Sequence, residues 1–259
     1  CIRDSIVRAL AKRGYRVRVA VRRPDLAGHL QPLGGVGQIM AVQANLRNRE
    51  SVNRAIRGAD YVINCVGILF ESGRNTFASV QDFGARAVAE AARAEGIGLT
   101  HISAIGADSE SESVYARSKG LAEASIAKVL PDAVILRPSI VFGPEDGFFN
   151  KFAEMARFSP ALPLIGGGET KFQPVYVGDV AETVARSVEG TIPRGAIYEL
   201  GGPRTMSFRE VLEEILEITH RKRVLLPLPW GLASLIGKIA SFIPFIDPPL
   251  TDDQAVSYT

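Results

Sequence analysis

Tyr115-Ala-Arg-Ser-Lys119 lies between an apolar run ending at Ser103 and the stretch Arg137-Pro-Ser-Ile-Val-Phe-Gly-Pro144, and the reading of this region decides the fold. A tyrosine and a lysine at i and i+4 share one face of a helix, so the ammonium can sit beside the phenol and favour its ionised form. A serine at the end of an adjacent strand can hold a substrate oxygen. Together the three groups can hold a carbonyl or hydroxyl oxygen and move a proton to or from it. Alone, a Tyr-x-x-x-Lys spacing is more often a solvated pair than a site, so its weight comes from what surrounds it.

Short apolar runs alternate with helical patterns along the chain, which predicts a parallel sheet covered on both faces. Residues 5–13 place Ile6, Val7 and Leu10 on one helical face and stop at Gly14, a natural C-cap. Residues 15–21, 39–44, 61–66, 99–103 and 134–137 read as strands, and residues 51–56, 77–94 and 115–129 as helices. After Gly143-Pro144 the alternation gives way to pieces rich in proline and glycine, including Pro160, Pro163 and Gly166-Gly167-Gly168, which mark a lobe boundary. Residues 172–179 supply a strand and a helix start near Asp179, read as its N-cap. Residues 196–200 add a strand, and residues 207–219 an amphipathic helix with a capping serine. The expected architecture is α/β. A doubly wound parallel sheet covers residues 1–143 and 172–200, and a small C-terminal lobe covers 144–171 and 201–259.

The bulk properties fit that size. The 259 residues are 46% hydrophobic and carry a formal charge of +2, with the basic residues dispersed, so nothing calls for a nucleic-acid partner. Two cysteines, Cys1 and Cys65, make no disulfide framework, and a reducing compartment is the plain reading. Because the chain starts at Cys1 and not at methionine, its native start is expected elsewhere, and the lack of a targeting signal carries no information. Residues 225–246 form the most apolar stretch. Within it, the helical pattern from Trp230 to Phe242 is too short to span a bilayer. It packs on its own lobe or lies against a membrane surface or partner, and both readings stay open.

Ligand chemistry collects at strand ends. Arg22-Arg23-Pro24 closes the run at 15–21, where an acidic residue would bind a ribose 2′-hydroxyl and an arginine accommodates a 2′-phosphate. Asn45 and Leu46 end the next strand, on the adenine side. Val66 and Gly67 end the one after, and the glycine lets a ligand approach the backbone. Pro138 and Ile140 follow the strand at 134–137, at the nicotinamide end. His29, His101 and His220 have no metal-ligand spacing and read as structural or surface residues. The glycine-rich turn that seats a pyrophosphate on a first helix is not found. If it lay just before residues 5–13, its last glycine would fall at Arg3.

The whole set resembles the extended or atypical short-chain dehydrogenases, a Rossmann-type superfamily. More narrowly, His101-Ile-Ser-Ala-Ile-Gly-Ala107, the 115–119 and 136–146 stretches, Phe148-Phe-Asn150, residues 172–180 and Tyr198-Glu-Leu-Gly-Gly-Pro203 resemble the NADPH-binding accessory subunits of respiratory complex I. The resemblance implies bound NADPH without obvious turnover and contacts with other complex I subunits on the peripheral arm near the quinone-reaction region. It also implies a peripheral location on the cytoplasmic face of a bacterial inner membrane or the matrix face of the mitochondrial one. It makes a membrane-surface contact through Trp230 to Phe242 reasonable. It assigns Arg22 to the 2′-phosphate, Asn45 and Leu46 to the adenine side, Gly67 to the middle of the cofactor, and Ser103, Tyr115, Lys119 and Pro138 to the nicotinamide ribose. The competing expectation is an independent NADP-dependent oxidoreductase or sugar-nucleotide epimerase, with Tyr115 as acid/base, Lys119 lowering its pKa and Ser103 orienting the carbonyl. A redox sensor reading out bound NADPH would use the same pocket.

Overall fold

The computed structural model describes residues 2–228. The chain folds into two compact units. Among the described residues, one is the chain through Pro138 with Val177–Leu200, and the other is Ser139–Tyr176 with the residues from Gly201 to Leu228. Residues 139–143 and 172–176, read from the sequence as part of the nucleotide-binding body, group with the second unit. The apolar stretch from Trp230 to Phe242 lies outside the described residues.

In chain order the first unit carries α1 (Ile2–Lys12), β1 (Val17–Val21), β2 (Ile39–Gln43), α2 (Arg49–Ile56), β3 (Tyr61–Asn64), α3 (Phe83–Glu95), β4 (Gly98–Ile102), α4 (Val114–Val129) and β5 (Val134–Pro138). The second unit follows with β6 (Val141–Phe142), α5 (Phe149–Phe158), β7 (Ala161–Ile165), β8 (Lys171–Phe172) and β9 (Val175–Tyr176). Next come α6 (Val177–Glu189) and β10 (Ile197–Leu200), which belong to the first unit. The second resumes with β11 (Met206–Ser207), α7 (Phe208–Ile218) and β12 (Val224–Leu228).

A four-stranded parallel sheet runs β10-β5-β4-β3, and β1-β2 form a separate parallel pair. Both faces of the larger sheet are covered, as the continuous apolar runs require. On one face α2, α3 and α4 bury Val52, Ile56, Val88, Ala122 and Ile126 over Leu99. Alanine at 85, 87, 89, 91 and 92 lets α3 sit close to its neighbours. On the other face α1 and α6 bury Ile6, Leu10, Ala181 and Val184 over Ile102, Val134 and Leu136. Val17 of β1 and Ile63 of β3 pack into this same cluster, so α1 ties the β1-β2 pair to the larger sheet. A buried hydroxyl ladder crosses the interior: Thr100 Oγ1 bonds Tyr61 Oη at 2.9 Å and Ser187 Oγ at 2.6 Å.

The second unit is built around phenylalanine. Phe148, Phe152, Phe172 and Phe208 meet with ring centroids 5.2–6.3 Å apart, most of them edge to face, where ring quadrupoles attract. Two of its elements, α5 and β7, fall where the sequence pattern looked broken. The helix start at 149 is served by Asp146, whose Oδ1 accepts from the N–H groups of Phe148, Phe149 and Asn150. Conversely, α6 begins at Val177, directly after β9, and Asp179 sits inside its first turn as a dipole partner and not as the N-cap.

Candidate cofactor site

The site grows from the end of β4. Beyond Ile102 the ladder with β5 continues, Ser103 N–H donating to Leu136 O at 2.7 Å and Ile105 N–H to Pro138 O at 3.1 Å. This fixes Ser103 in the interior, where it is 4% exposed. Its hydroxyl donates to Glu123 Oε1, one helical turn beyond Lys119 on α4. Arg137 grips the same carboxylate, Nη2 to Oε2 at 2.7 Å and Nε to Oε1 at 3.0 Å, and burial strengthens such a two-pronged pair. The guanidinium, held by the carboxylates of Glu123 and Glu199, has its pKa raised further. The serine proton is therefore committed to the interior.

The helix carrying the other two groups is well anchored. Ser113 caps α4 by accepting from Ala116 N–H at 3.2 Å. Gly120 lets it approach the 108–109 loop, where a Cβ would run into the backbone of Ser109 and Asp108. Half-buried Tyr115 packs its ring edge-on against Phe77, with centroids 6.2 Å apart. Lys119 Nζ stands 5.9 Å from the Tyr115 ring centroid and donates to Ile102 O at 3.4 Å. A side chain at Gly67 would meet that ammonium at 3.0 Å, so the glycine keeps the space beside Nζ open.

His101 and Cys65, within electrostatic reach of Lys119, are held neutral. Burial pulls the Lys119 pKa down to about 8, with Glu123 and Cys65 opposing. Burial, then the Lys119 charge, lowers His101 to about 3. Burial pushes the Cys65 thiol up to about 12, against the pull of Arg3 and Lys119. Asn64 Oδ1 accepts from Val66 N–H, so its amide nitrogen donates to His101 Nδ1 at 3.1 Å and the ring proton is assigned to Nε2.

The other sequence candidates fall unevenly. Arg22 reaches the 74–75 turn, Nη1 donating to Asn75 Oδ1 at 3.4 Å. Arg23 is turned away into an exposed pair with Asp25 at 2.7 Å. Asn45 orders its own turn, accepting from Arg47 N–H at 3.1 Å. Leu46 packs inward against Gly84 and the α2/α3 core. Exposed Val66 neighbours Gly67, and Pro138 closes β5. Ile140 belongs to the second unit, its carbonyl accepting from Val175 N–H and its side chain in the phenylalanine core. Glu123 was missed by sequence reasoning, although its i+4 spacing from Lys119 places it on the same helix face.

With this geometry in hand, the profile of the NAD(P)H-binding family matches residues 4–145, more than half of the chain. The chain belongs to this NAD(P)H-binding family. A second profile, that of the 3-beta hydroxysteroid dehydrogenase/isomerase family, matches residues 103–189, beginning at Ser103. The chain is 33% identical over 228 residues to NADH dehydrogenase [ubiquinone] 1 alpha subcomplex subunit 9, mitochondrial, of Rattus norvegicus, covering 87% of this chain and 60% of that protein. It is 29% identical over 220 residues to the NADH-ubiquinone oxidoreductase 40 kDa subunit of Neurospora crassa, covering 84% and 58%. It is also 33% identical over 176 residues to the ceramide reductase of Caulobacter vibrioides, covering 68% and 54%. The chain thus spans about 60% of the length of its mitochondrial relatives. Among solved structures, dTDP-glucose 4,6-dehydratase of Bacillus anthracis in complex with NAD superposes with a TM-score of 0.76 at 15% identity, covering 99% of this chain and 91% of that one. UDP-glucose 4-epimerase of Thermus thermophilus with NAD gives 0.68 at 23% identity, covering 100% and 94%. These two establish the Rossmann-like fold with its parallel sheet.

Proposed function

We propose that this chain holds NADPH with little or no turnover as an accessory subunit of respiratory complex I, bound to other subunits of the peripheral arm. The observation that carries the holding role is the Ser103–Glu123–Arg137 clasp. Lys119 and Tyr115 can grip ribose hydroxyls, and Gly67 leaves room for the nucleotide beside the ammonium. The serine hydroxyl that would polarise a substrate carbonyl is bonded to Glu123. When bound, the nicotinamide supplies a transferable hydride. Among the described residues Arg22, after β1, has no carboxylate partner, which favours the 2′-phosphorylated form.

The assembly role draws on the similarity to the mitochondrial subunits, and a peripheral site at a membrane complex agrees with it. No helix among the described residues is long and apolar enough to cross a membrane. The test is to isolate the native full-length protein with its associated chains and identify the released nucleotide by mass spectrometry. NADPH together with complex I subunits supports the reading. A chain without those partners, or without nucleotide, contradicts it.

A second reading, an NADP-dependent oxidoreductase or sugar-nucleotide epimerase, is favoured by one feature: Tyr115 and Lys119 are both in place on α4, with the Lys119 pKa down to about 8. In that case Tyr115→Phe abolishes turnover on an identified substrate. Unchanged turnover rules the catalytic assignment out.

A further inference from the structure

The loop after β3 folds back on itself at a turn where Ser72 and Asn75 exchange backbone hydrogen bonds at 3.0 Å. Two arginines from different strand ends reach this turn. Arg22, after β1, donates from Nη1 to Asn75 Oδ1 at 3.4 Å. Arg47, after β2, donates from Nη1 to the Arg74 carbonyl at 3.0 Å. The turn itself adds the exposed side chain of Arg74. Three arginines therefore meet at one turn, and the side-chain bonds of Arg22 and Arg47 are to neutral oxygens.

The acids close in sequence are engaged elsewhere. Asp25 is paired with Arg23. Glu71 Oε1 accepts from Phe77 N–H at 2.6 Å. Among the described residues no carboxylate forms an ion pair with Arg22, Arg47 or Arg74. Grouped cations without a counter-charge repel one another, and a multiply charged anion relieves this. A ribose 2′-hydroxyl would ask for an acceptor here, and a phosphomonoester asks for forked donors.

We infer that Arg47 and Arg74 join Arg22 in a clamp on the 2′-phosphate of the nucleotide, and that this clamp sets the preference for NADPH over NADH. The inference rests on the cofactor-holding reading above. It adds two specificity-determining residues from the segments after β2 and β3, and it gives the 72–75 turn a role as a strap whose two tethers exchange onto the phosphate.

The test is calorimetric titration of the full-length protein and its Arg47→Gln and Arg74→Gln variants with NADPH, NADH, 2′,5′-ADP and 5′-AMP at fixed ionic strength. Arg74→Gln leaves intact the backbone carbonyl that Arg47 holds, so its effect reads the guanidinium and not the fold of the loop. A charge-assisted bond to phosphate lost in each variant lowers the affinity for NADPH and 2′,5′-ADP by about tenfold or more and leaves NADH and 5′-AMP within about twofold. An unchanged NADPH-to-NADH ratio in both variants overturns the inference. If inorganic phosphate displaces 2′,5′-ADP at comparable concentration, the cluster is a general anion patch and the inference fails. Equal wild-type affinity for NADPH and NADH removes the clamp alone, whereas binding of neither removes the cofactor reading with it.

Discussion

His101 sits on β4 directly across from Asn64 of β3, and burial holds its pKa at about 3 against 6.5 in a free side chain. Between those values the unfolded chain binds the extra proton, so the stability this residue confers is complete above about pH 6.5 and drains away as the pH falls towards 3. The thermal unfolding midpoint should therefore drop through that window, and a His101→Gln variant should drop less steeply. Lys119 works at the other end. Its folded pKa of about 8 lies below 10.5, so stability rises with pH above 8, until the Cys65 thiol, at about 12 instead of 9.0, opposes it beyond pH 9. Lys119→Met should abolish the rise between pH 8 and 9 and stabilise the nucleotide-free protein at pH 7, as measured by denaturant midpoint. The sequence disclosed Tyr115, Lys119 and Ser103 because spacing on a helix and position at a strand end are local properties. It did not disclose where the Ser103 hydroxyl points, because that depends on Glu123, 20 residues away, and on Arg137 beyond it.

Helix α4 shows how an element can be set by one missing atom. A Cβ at Gly120 would collide with Ser109 N and Asp108 C and lie 2.9 Å from Asp108 Cα, all of them backbone, so the helix would have to lift off its loop. Gly120→Ala should destabilise by about 1–3 kcal/mol despite the better helix propensity of alanine, checked by denaturant titration with an unchanged m-value. At α7 the Ser207–Glu210 capping box satisfies two orphan N–H groups, and Ser207→Ala should cost about 1 kcal/mol in the same assay. That cap was legible because its residues are three apart. The strands and helices of the first unit were legible for a similar reason, their apolar periods being unbroken. In the second unit α5 and β7 were not. The Asp146 carboxylate that serves α5 stands three residues before the helix, and Pro160 and Pro163 read as breakers although β7 pairs with β12 from Val224↔Ala161 to Leu228↔Ile165. That pairing joins segments far apart in the chain, which no local pattern reports.

For the molecule as a whole, the NAD(P)H-binding family match covers most of the first unit, and under the function proposed above the clasp around Ser103 keeps the nucleotide a resident and not a reagent. Resident and reagent forms of one pocket differ in what happens to the hydride. The decisive measurement is to load the assembled native complex with NADPH deuterated at the nicotinamide C4, drive respiration with NADH, and recover the bound nucleotide for mass spectrometry. Retention of the deuterium in NADPH through many turnovers of the complex is the predicted result. Washout of the label, or conversion of the bound pool to NADP⁺, would contradict it and return Tyr115 and Lys119 to the role of catalytic groups.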